Sequence, residues 1–236
     1  MHQLPNYTQY ENDKFIDKNE LNLSHDELLI SQRLERVAKF KTFNAKDIIY
    51  QKNQMIDKIF IVNHGMIKLL NYLPNGRSRI VRLYAKGHWI GLEGLVEDNY
   101  SHTAVAVGEV EVNILSLKTV REFILEDPNI LAPILSQWMT NLHQADKWIS
   151  EFSTGEILPR VARLLKYIAE LEHSELTGWI DLLTVNEIAD ILGVTPESVS
   201  RVMASFKRNE ILRKQIYNQR KCYQVNIDRL QKMAEL

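Results

Sequence analysis

Three side chains in one short run have the chemistry to read a nucleic acid. Glu197, Ser200 and Arg201 stand within Thr195-Pro196-Glu197-Ser198-Val199-Ser200-Arg201. Arginine can bond guanine O6 and N7, glutamate can accept from a cytosine amino group, and serine can contact thymine. On a helix, residues three and four apart are neighbours, so Glu197, Ser200 and Arg201 would share one face.

Two short helices joined by a tight glycine turn would present that face. Thr184 and Glu187 have capping-box spacing at the start of the first helix. Ile188 and Leu192 lie four apart on its apolar side, and Gly193 stands where a left-handed helix stop is needed. Thr195 can cap the second helix, with Pro196 at its first position, where the missing N–H is harmless. Val199, Val202, Met203 and Phe206 would pack inward, leaving Glu197, Ser200, Arg201, Ala204 and Arg208 outward. Taken alone, such a hairpin reads as an ordinary pair of helices with a solvated face. The charge that follows favours DNA. From Arg201 to Lys221 there are seven basic residues and one acid, Glu210, a local net of +6 in a chain whose net charge is −1. A focused patch of this kind is the footprint of phosphate binding, with Arg208, Lys214, Arg220 and Lys221 as candidate backbone contacts. The runs around Gln215–Tyr217 and Lys221–Val225, separated by Asn218-Gln219-Arg220, read as a β-hairpin with a basic tip, the wing of a winged helix.

The 236 residues allow one large domain or two of ordinary size, and 45% hydrophobic with 25% charged residues fits a globular protein. One cysteine, Cys222, excludes an internal disulfide or a multi-cysteine metal site built from this chain alone, and is expected as a buried or half-buried wing thiol. No apolar run is long enough for a bilayer, and the polar N-terminus lacks a signal-peptide core, so no membrane partner and a cytoplasmic location are expected.

In chain order, residues 1–23 read as a flexible extension, and Ser24 opens a helix with Leu28, Leu29, Leu34 and Val37 on its apolar side. From about Phe43 to Leu117, short strands alternate with turn signals: Ile48–Tyr50, Ile59–Val62, Met66–Tyr72, Ser78–Tyr84, Thr103–Val107 and Glu111–Leu117. This spacing predicts an antiparallel barrel or jelly roll, closing a sensor domain of residues 24–127. Lys118–Glu126 reads as a short helix ended near Pro128. Leu131, Leu135, Trp138, Leu142, Ala145, Ile149 and Phe152 then recur at spacings of 4, 3, 4, 3, 4 and 3, a heptad seam over residues 128–153. The alternative is a core helix; Ile130, Ile134 and Trp148 offer a second apolar face for that role. A helix apolar on two sides between a barrel and a DNA reader is most simply a homodimer spine. Ser153-Thr154-Gly155 is the hinge candidate, and residues 154–236 form the reader domain, beginning with a helix over Ile157–Glu172 and a connection that includes a short strand around Trp179-Ile180.

In this order of parts the chain resembles the CRP/FNR family of bacterial transcription regulators over roughly Asp47 to Leu230. The most specific pieces are Gly87-His88-Trp89-Ile90-Gly91-Leu92-Glu93-Gly94-Leu95, similar to the family's effector-pocket segment, and Glu187 to Arg201. The resemblance implies an α+β fold: an N-terminal antiparallel β-barrel or jelly roll like a cyclic-nucleotide-binding domain, a long dimerisation helix, and a C-terminal winged helix-turn-helix. It implies Glu197, Ser200 and Arg201 as base contacts of an FNR-type reader with TTGAT-like half-sites. Pro196 stands where the cyclic-AMP receptor branch carries an arginine, which argues against TGTGA. Thr184, Asn186, Thr195 and Ser198 match positions that hold phosphates. RNA polymerase is the implied further partner.

The sensor departs from both well-known branches. The implied pocket residues are Gly91, Leu92, Glu93, His102 and Thr103. Leu92 replaces the family's pocket glutamate, and His102 with Thr103 replaces its Arg-Ser pair. A neutral histidine cannot substitute for a bidentate arginine on a cyclic phosphate, so cyclic AMP is disfavoured. The iron–sulfur cluster of FNR-type sensors needs N-terminal cysteines, and residues 1–40 have none. Haem stays open on His64, His88, His102 and His143, against a small organic effector or none. The expectation is a homodimeric, palindrome-reading transcription regulator without catalytic residues, its effector unidentified. The competing class is a ligand-binding module that uses the winged helix for protein contacts.

Overall fold

A computed structural model describes residues 34, 36–74, 76, 78–172, 179–181, 183–217 and 220–235. The expected extension at residues 1–23 and most of the helix opened by Ser24 lie outside the described residues. So do Asn75 of the Pro74–Gly76 turn, Asn218 and Gln219 of the wing, and residues 173–178.

Among the described residues, eight strands form the first half: β1 (Lys39–Phe43), β2 (Ile48–Tyr50), β3 (Lys58–His64), β4 (Ile67–Tyr72), β5 (Ser78–Tyr84), β6 (Trp89–Ile90), β7 (Thr103–Ala106) and β8 (Val110–Ser116). They build two four-stranded sheets, β1-β8-β3-β6 and β2-β7-β4-β5, with every pairing antiparallel. Of the barrel and jelly-roll alternatives, two facing sheets fit the jelly roll, and no closed barrel forms among the described residues. Ile59, Val62, Ile67, Ala104, Ala106, Val110 and Val112 fill the space between them with no more than 0% exposure. β3 is buried through its middle and β7 throughout, whereas β4 and β8 begin with buried residues alternating with half-buried ones.

Two strands escaped the sequence reading. β1 is an edge strand paired only with β8, and of its five residues only Phe43 is buried, so it carries no hydrophobic alternation. β6 has two residues, too short for any periodic signal. Val37, expected on an apolar helix face, is 47% exposed, whereas Leu34 is buried.

Helix α1 (Leu117–Glu126) is capped by Ser116, whose hydroxyl accepts from Thr119 N–H at 3.0 Å, and it ends at Asp127 before Pro128. Helix α2 (Leu131–Phe152) follows, then α3 (Ile157–Leu171). The second half adds β9 (Trp179–Asp181), α4 (Val185–Leu192), α5 (Pro196–Arg208), β10 (Leu212–Tyr217), β11 (Arg220–Val225) and α6 (Ile227–Ala234). The hairpin β10-β11 takes β9 as a third strand. Cys222 lies on β11, opposite Gln215 and Asp181.

The second hydrophobic core is not confined to these helices. It includes Met66, Ile80, Leu83 and Ala85 of the sensor together with Trp148 and Phe152 of α2. Phe152, expected in the exposed seam, is therefore corrected to a core residue. It is 1% exposed and packs edge-on against Trp148 and Tyr167, because α3 folds back along the end of α2. Ile130 and Ile134 sit in the sensor core, as the second apolar face of α2 requires.

Candidate nucleic-acid interface and effector pocket

The reader is built by local rules. Thr184 Oγ1 accepts from Glu187 N–H at 3.2 Å, and the Glu187 carboxylate accepts from Thr184 N–H at 2.8 Å, which completes the capping box of α4. Gly193 closes α4 at φ 65°, and a Cβ there would also stand 3.1 Å from the Arg79 guanidinium. Thr195 caps α5 by accepting from Ser198 N–H at 3.4 Å, with Pro196 first in the helix.

Val199, Val202, Met203 and Phe206 are buried against α4, so the opposite side of α5 is fixed outward. Glu197, Ser200, Arg201, Ala204 and Arg208 are all exposed along it. The Glu197 carboxyl is held below the usual carboxylate range, first by its own backbone N–H at the helix N-terminus, then by the Thr195 hydroxyl, with Arg201 adding to both. It is thus an ionised acceptor at neutral pH. Thr184, Asn186 and Thr195 are exposed and Ser198 half-buried, all at the N-termini of α4 and α5, where backbone N–H groups and the helix dipole favour phosphate. Lys214 is exposed on β10, and Arg220 lies opposite Tyr217 at the hairpin tip with Lys221 beside it. Arg213 is ion-paired with Glu210 at 3.1 Å, so the one acid of the patch is already engaged.

The reader is also tied to the sensor. The Lys68 ammonium on β4 bonds the second oxygen of Glu187. Burial acts to raise the Glu187 pKa, but Lys68 and the Thr184 N–H and hydroxyl outweigh it and hold the carboxyl below its ordinary value. Arg160 is buried and donates to Phe152 O at 2.8 Å and to Leu192 O, fastening the end of α2 to the end of α4.

A second candidate site lies between the sensor sheets and α2. Gly91, Leu92, Glu93 and His102 line a cavity of about 160 Å³. Gly91, at φ 87°, has Lys58 O only 2.8 Å from where a Cβ would sit, so the turn into Leu92–Leu95 requires glycine. Thr103 does not line the cavity; it is 3% exposed and its hydroxyl accepts from Lys52 N–H at 3.1 Å. Trp89 and Ile90, within the expected pocket segment, also line it, whereas sequence reading missed Tyr50, Leu69, Arg82, Tyr84, Trp138 and Asn141 as wall residues. Leu69 and Arg82 are register partners, as are Ile67 and Tyr84, so strand pairing delivers Arg82 and Tyr84 beside each other. Arg82 Nη1 donates to Tyr84 Oη at 3.1 Å. Burial pushes the Glu93 carboxyl above its ordinary value, with its own backbone N–H and Arg82 opposing. Burial, then Arg82 and Lys52, lower the His102 pKa and keep the ring neutral.

The other candidate histidines are scattered. His88 and His143 face a separate cleft of about 320 Å³ with Lys147, Tyr167 and Glu170, while His64 ends β3 opposite Glu111. Among the described residues, no three His, Cys, Asp or Glu side chains gather as a metal site. No helix among them is long and apolar enough to cross a membrane.

Along α2, Leu135, Leu142 and Ile149 are 55%, 53% and 67% exposed, with Leu131 and Trp138 exposed and Ala145 half-buried in the same row. Met139, which the heptad pattern omits, adds to this stripe at 50%.

Residues 40–127 match the family model of the cyclic nucleotide-binding domain, and residues 159–233 match that of the Crp-like helix-turn-helix domain. The chain is similar to the transcriptional regulator LdrP of Thermus thermophilus, 26% identical over 174 residues, 73% of this chain and 86% of that one. It is similar to the transcriptional activator protein FnrL of Cereibacter sphaeroides, 25% identical over 186 residues, 76% of this chain and 74% of that one. Among solved structures, FixK2 from Bradyrhizobium japonicum shares the fold with a TM-score of 0.72 at 21% identity, over 84% of this chain and 97% of that one.

Proposed function

The chain belongs to the CRP/FNR family of transcription regulators, which are not enzymes, and from that premise we propose that it works as a homodimer reading a palindromic TTGAT-like site in the cytoplasm. The observation that carries the reading is the outward face of α5, where Glu197, Ser200 and Arg201 stand exposed over a buried apolar face. Arg201 reads guanine, Glu197 cytosine and Ser200 thymine. Thr184, Asn186, Thr195, Ser198, Arg208, Lys214, Arg220 and Lys221 hold phosphates and set register. The exposed stripe Leu131, Leu135, Trp138, Leu142, Ala145 and Ile149 pairs with its copy, and two recognition helices about one DNA turn, roughly 34 Å, apart then meet a palindrome.

The cavity bounded by Gly91, Leu92, Glu93 and His102 is the effector site. Trp138 belongs both to its wall and to the exposed stripe, so occupancy and dimer geometry act on one side chain. The effector biases an existing equilibrium between reader orientations through the Ser153–Gly155 hinge, and the bound dimer presents its surface to RNA polymerase.

The test is binding to a palindromic TTGAT duplex and to a scrambled one across a salt series. Arg201→Ala is expected to lower the specific-to-scrambled ratio by about tenfold to a hundredfold, following roughly 1–3 kcal/mol per base contact. Lys214→Ala should weaken both duplexes alike and flatten the salt slope by about 0.9. An unchanged ratio in Arg201→Ala would overturn the base assignment. A salt-independent affinity would favour protein contacts for the winged helix instead.

A further inference from the structure

The structure does not only withhold the family's nucleotide contacts from the cavity; it supplies others. Arg82 enters from β5; among the described residues no carboxylate lies within ion-pair distance of it, although Glu93 on the same wall feels its charge, and its one hydrogen bond goes to the Tyr84 hydroxyl at 3.1 Å. A half-buried guanidinium with donors to spare calls for an anion, and its planar fork matches a carboxylate. Asn141 of α2 lines the same cavity; it is 7% exposed, and its Oδ1 has no hydrogen-bond partner among the described residues. A buried carbonyl oxygen left unpaired is costly, so that position calls for a donor.

The same wall carries four aromatic rings, Tyr50, Tyr84, Trp89 and Trp138, beside the aliphatic Leu69, Ile90 and Leu92. Such a lining favours a flat ring through stacked and edge-on contacts. Size selects further. The cavity is about 160 Å³, close to the ~150 Å³ engineered void that takes a single benzene ring. One ring with small substituents matches that volume.

We propose that the effector is a small aromatic carboxylate carrying a hydroxyl or amino donor, its carboxylate on Arg82 and its donor on Asn141. This rests on the reading of the cavity as the effector site. The ring then lies against Trp138, so the ligand touches both the sensor sheet and two residues of α2.

The test uses the full chain, with para- and meta-hydroxybenzoate as probes followed by isothermal titration and by tryptophan fluorescence, since Trp89 and Trp138 line the cavity. At least one isomer is expected to bind saturably. The matching hydroxybenzamide, of the same shape without the charge, should bind about tenfold weaker or worse, and Arg82→Gln should cause a similar loss for the carboxylate. Benzoate should bind more weakly than the better hydroxybenzoate in the wild type, with that gap closing in Asn141→Ala. Cyclic AMP should fail to displace the probe. The idea falls if no hydroxybenzoate binds saturably, if amide and carboxylate bind alike, or if cyclic AMP displaces the probe at lower concentration than the carboxylate itself. The carboxamide comparison needs no variant and survives any misfolding of Arg82→Gln. The same preparation is assayed on the TTGAT duplex: DNA binding without carboxylate binding overturns the ligand class alone, whereas loss of specific DNA binding overturns the reader.

Discussion

The reader concentrates its chemistry on one helix and its caps, whereas the sensor cavity gathers its wall from β2, β4, β5, β6, the Leu92–Leu95 turn and α2. In the first case, residues three and four apart in sequence are neighbours in space, so one amphipathic pattern decides what faces inward and what is left for a ligand. In the second, Arg82 and Asn141 line one cavity only because a sheet, a turn and a long helix converge. The difference also extends to how each is held. α4 and α5 would form a helical hairpin on local rules, yet their core borrows Met66, Ile80 and Leu83 from the sensor. Chemistry divides by region while packing does not.

The largest expected effect tests that shared packing. Phe206 is 1% exposed in the common core, and Phe206→Ala should cost about 3–5 kcal/mol. Because sensor residues line the same core, unfolding in denaturant followed by circular dichroism and by tryptophan fluorescence should shift together. A variant in which the reader melts first and the sensor transition stays in place would show two independent bodies and break the comparison at its base.

A smaller effect is expected at the fastening between α2 and the reader. Arg160→Met keeps much of the apolar stem but leaves Phe152 O and Leu192 O without their donor. The loss should be about 1–3 kcal/mol, read as a lowered urea midpoint. A neutral outcome would mean that the end of α2 and the end of α4 are oriented by apolar packing alone, without the guanidinium.

What could be read in advance follows the same division. The capping box at Thr184 and Glu187, the left-handed Gly193, the Thr195 cap and the buried row Val199, Val202, Met203 and Phe206 are all short-range, and the sequence reading placed each of them. The strands whose alternation was clear were found, while β1 was hidden because an exposed edge buries only Phe43. The cavity was half visible: Gly91 and Glu93 are marked by a glycine-flanked turn, but nothing near Arg82 in the chain says that β5 sets it beside Tyr84 in the cavity that Asn141 also lines. An arginine two residues before a buried tyrosine on a paired strand was the available clue. Phe152 fits the heptad by spacing, and only the return of α3 takes it out of the exposed stripe.

Local capping should give a still smaller effect. Thr184→Ala removes one half of the capping box, at about 1 kcal/mol, measured by thermal or urea unfolding. Thr184→Ser should restore most of it. If Thr184→Ala costs nothing, the cap is redundant with the tie that Lys68 makes to Glu187, and the reader is less locally determined than its sequence pattern implies.

The last effect is a slope instead of a step, and it separates the two regions by sign. Glu187, at the reader's junction with β4, has its pKa held down in the fold by Lys68 and Thr184 against the pull of burial. Its stabilisation is therefore present above the unfolded carboxylate value, about 4.3, and is lost as pH falls through the lower folded value. Glu93, in the cavity, has its pKa raised by burial. Its contribution is fully present below the unfolded value and is lost as pH rises through the folded one, because the buried carboxylate must then ionise. Urea midpoints measured from about pH 2 to pH 8 should show Glu187→Gln removing part of the acid-side loss, and Glu93→Gln removing part of the decline on the rising side. Occupancy of the cavity by an anion would disfavour the Glu93 carboxylate further, so a bound aromatic carboxylate should move the Glu93-dependent decline to higher pH and leave the Glu187-dependent limb where it was.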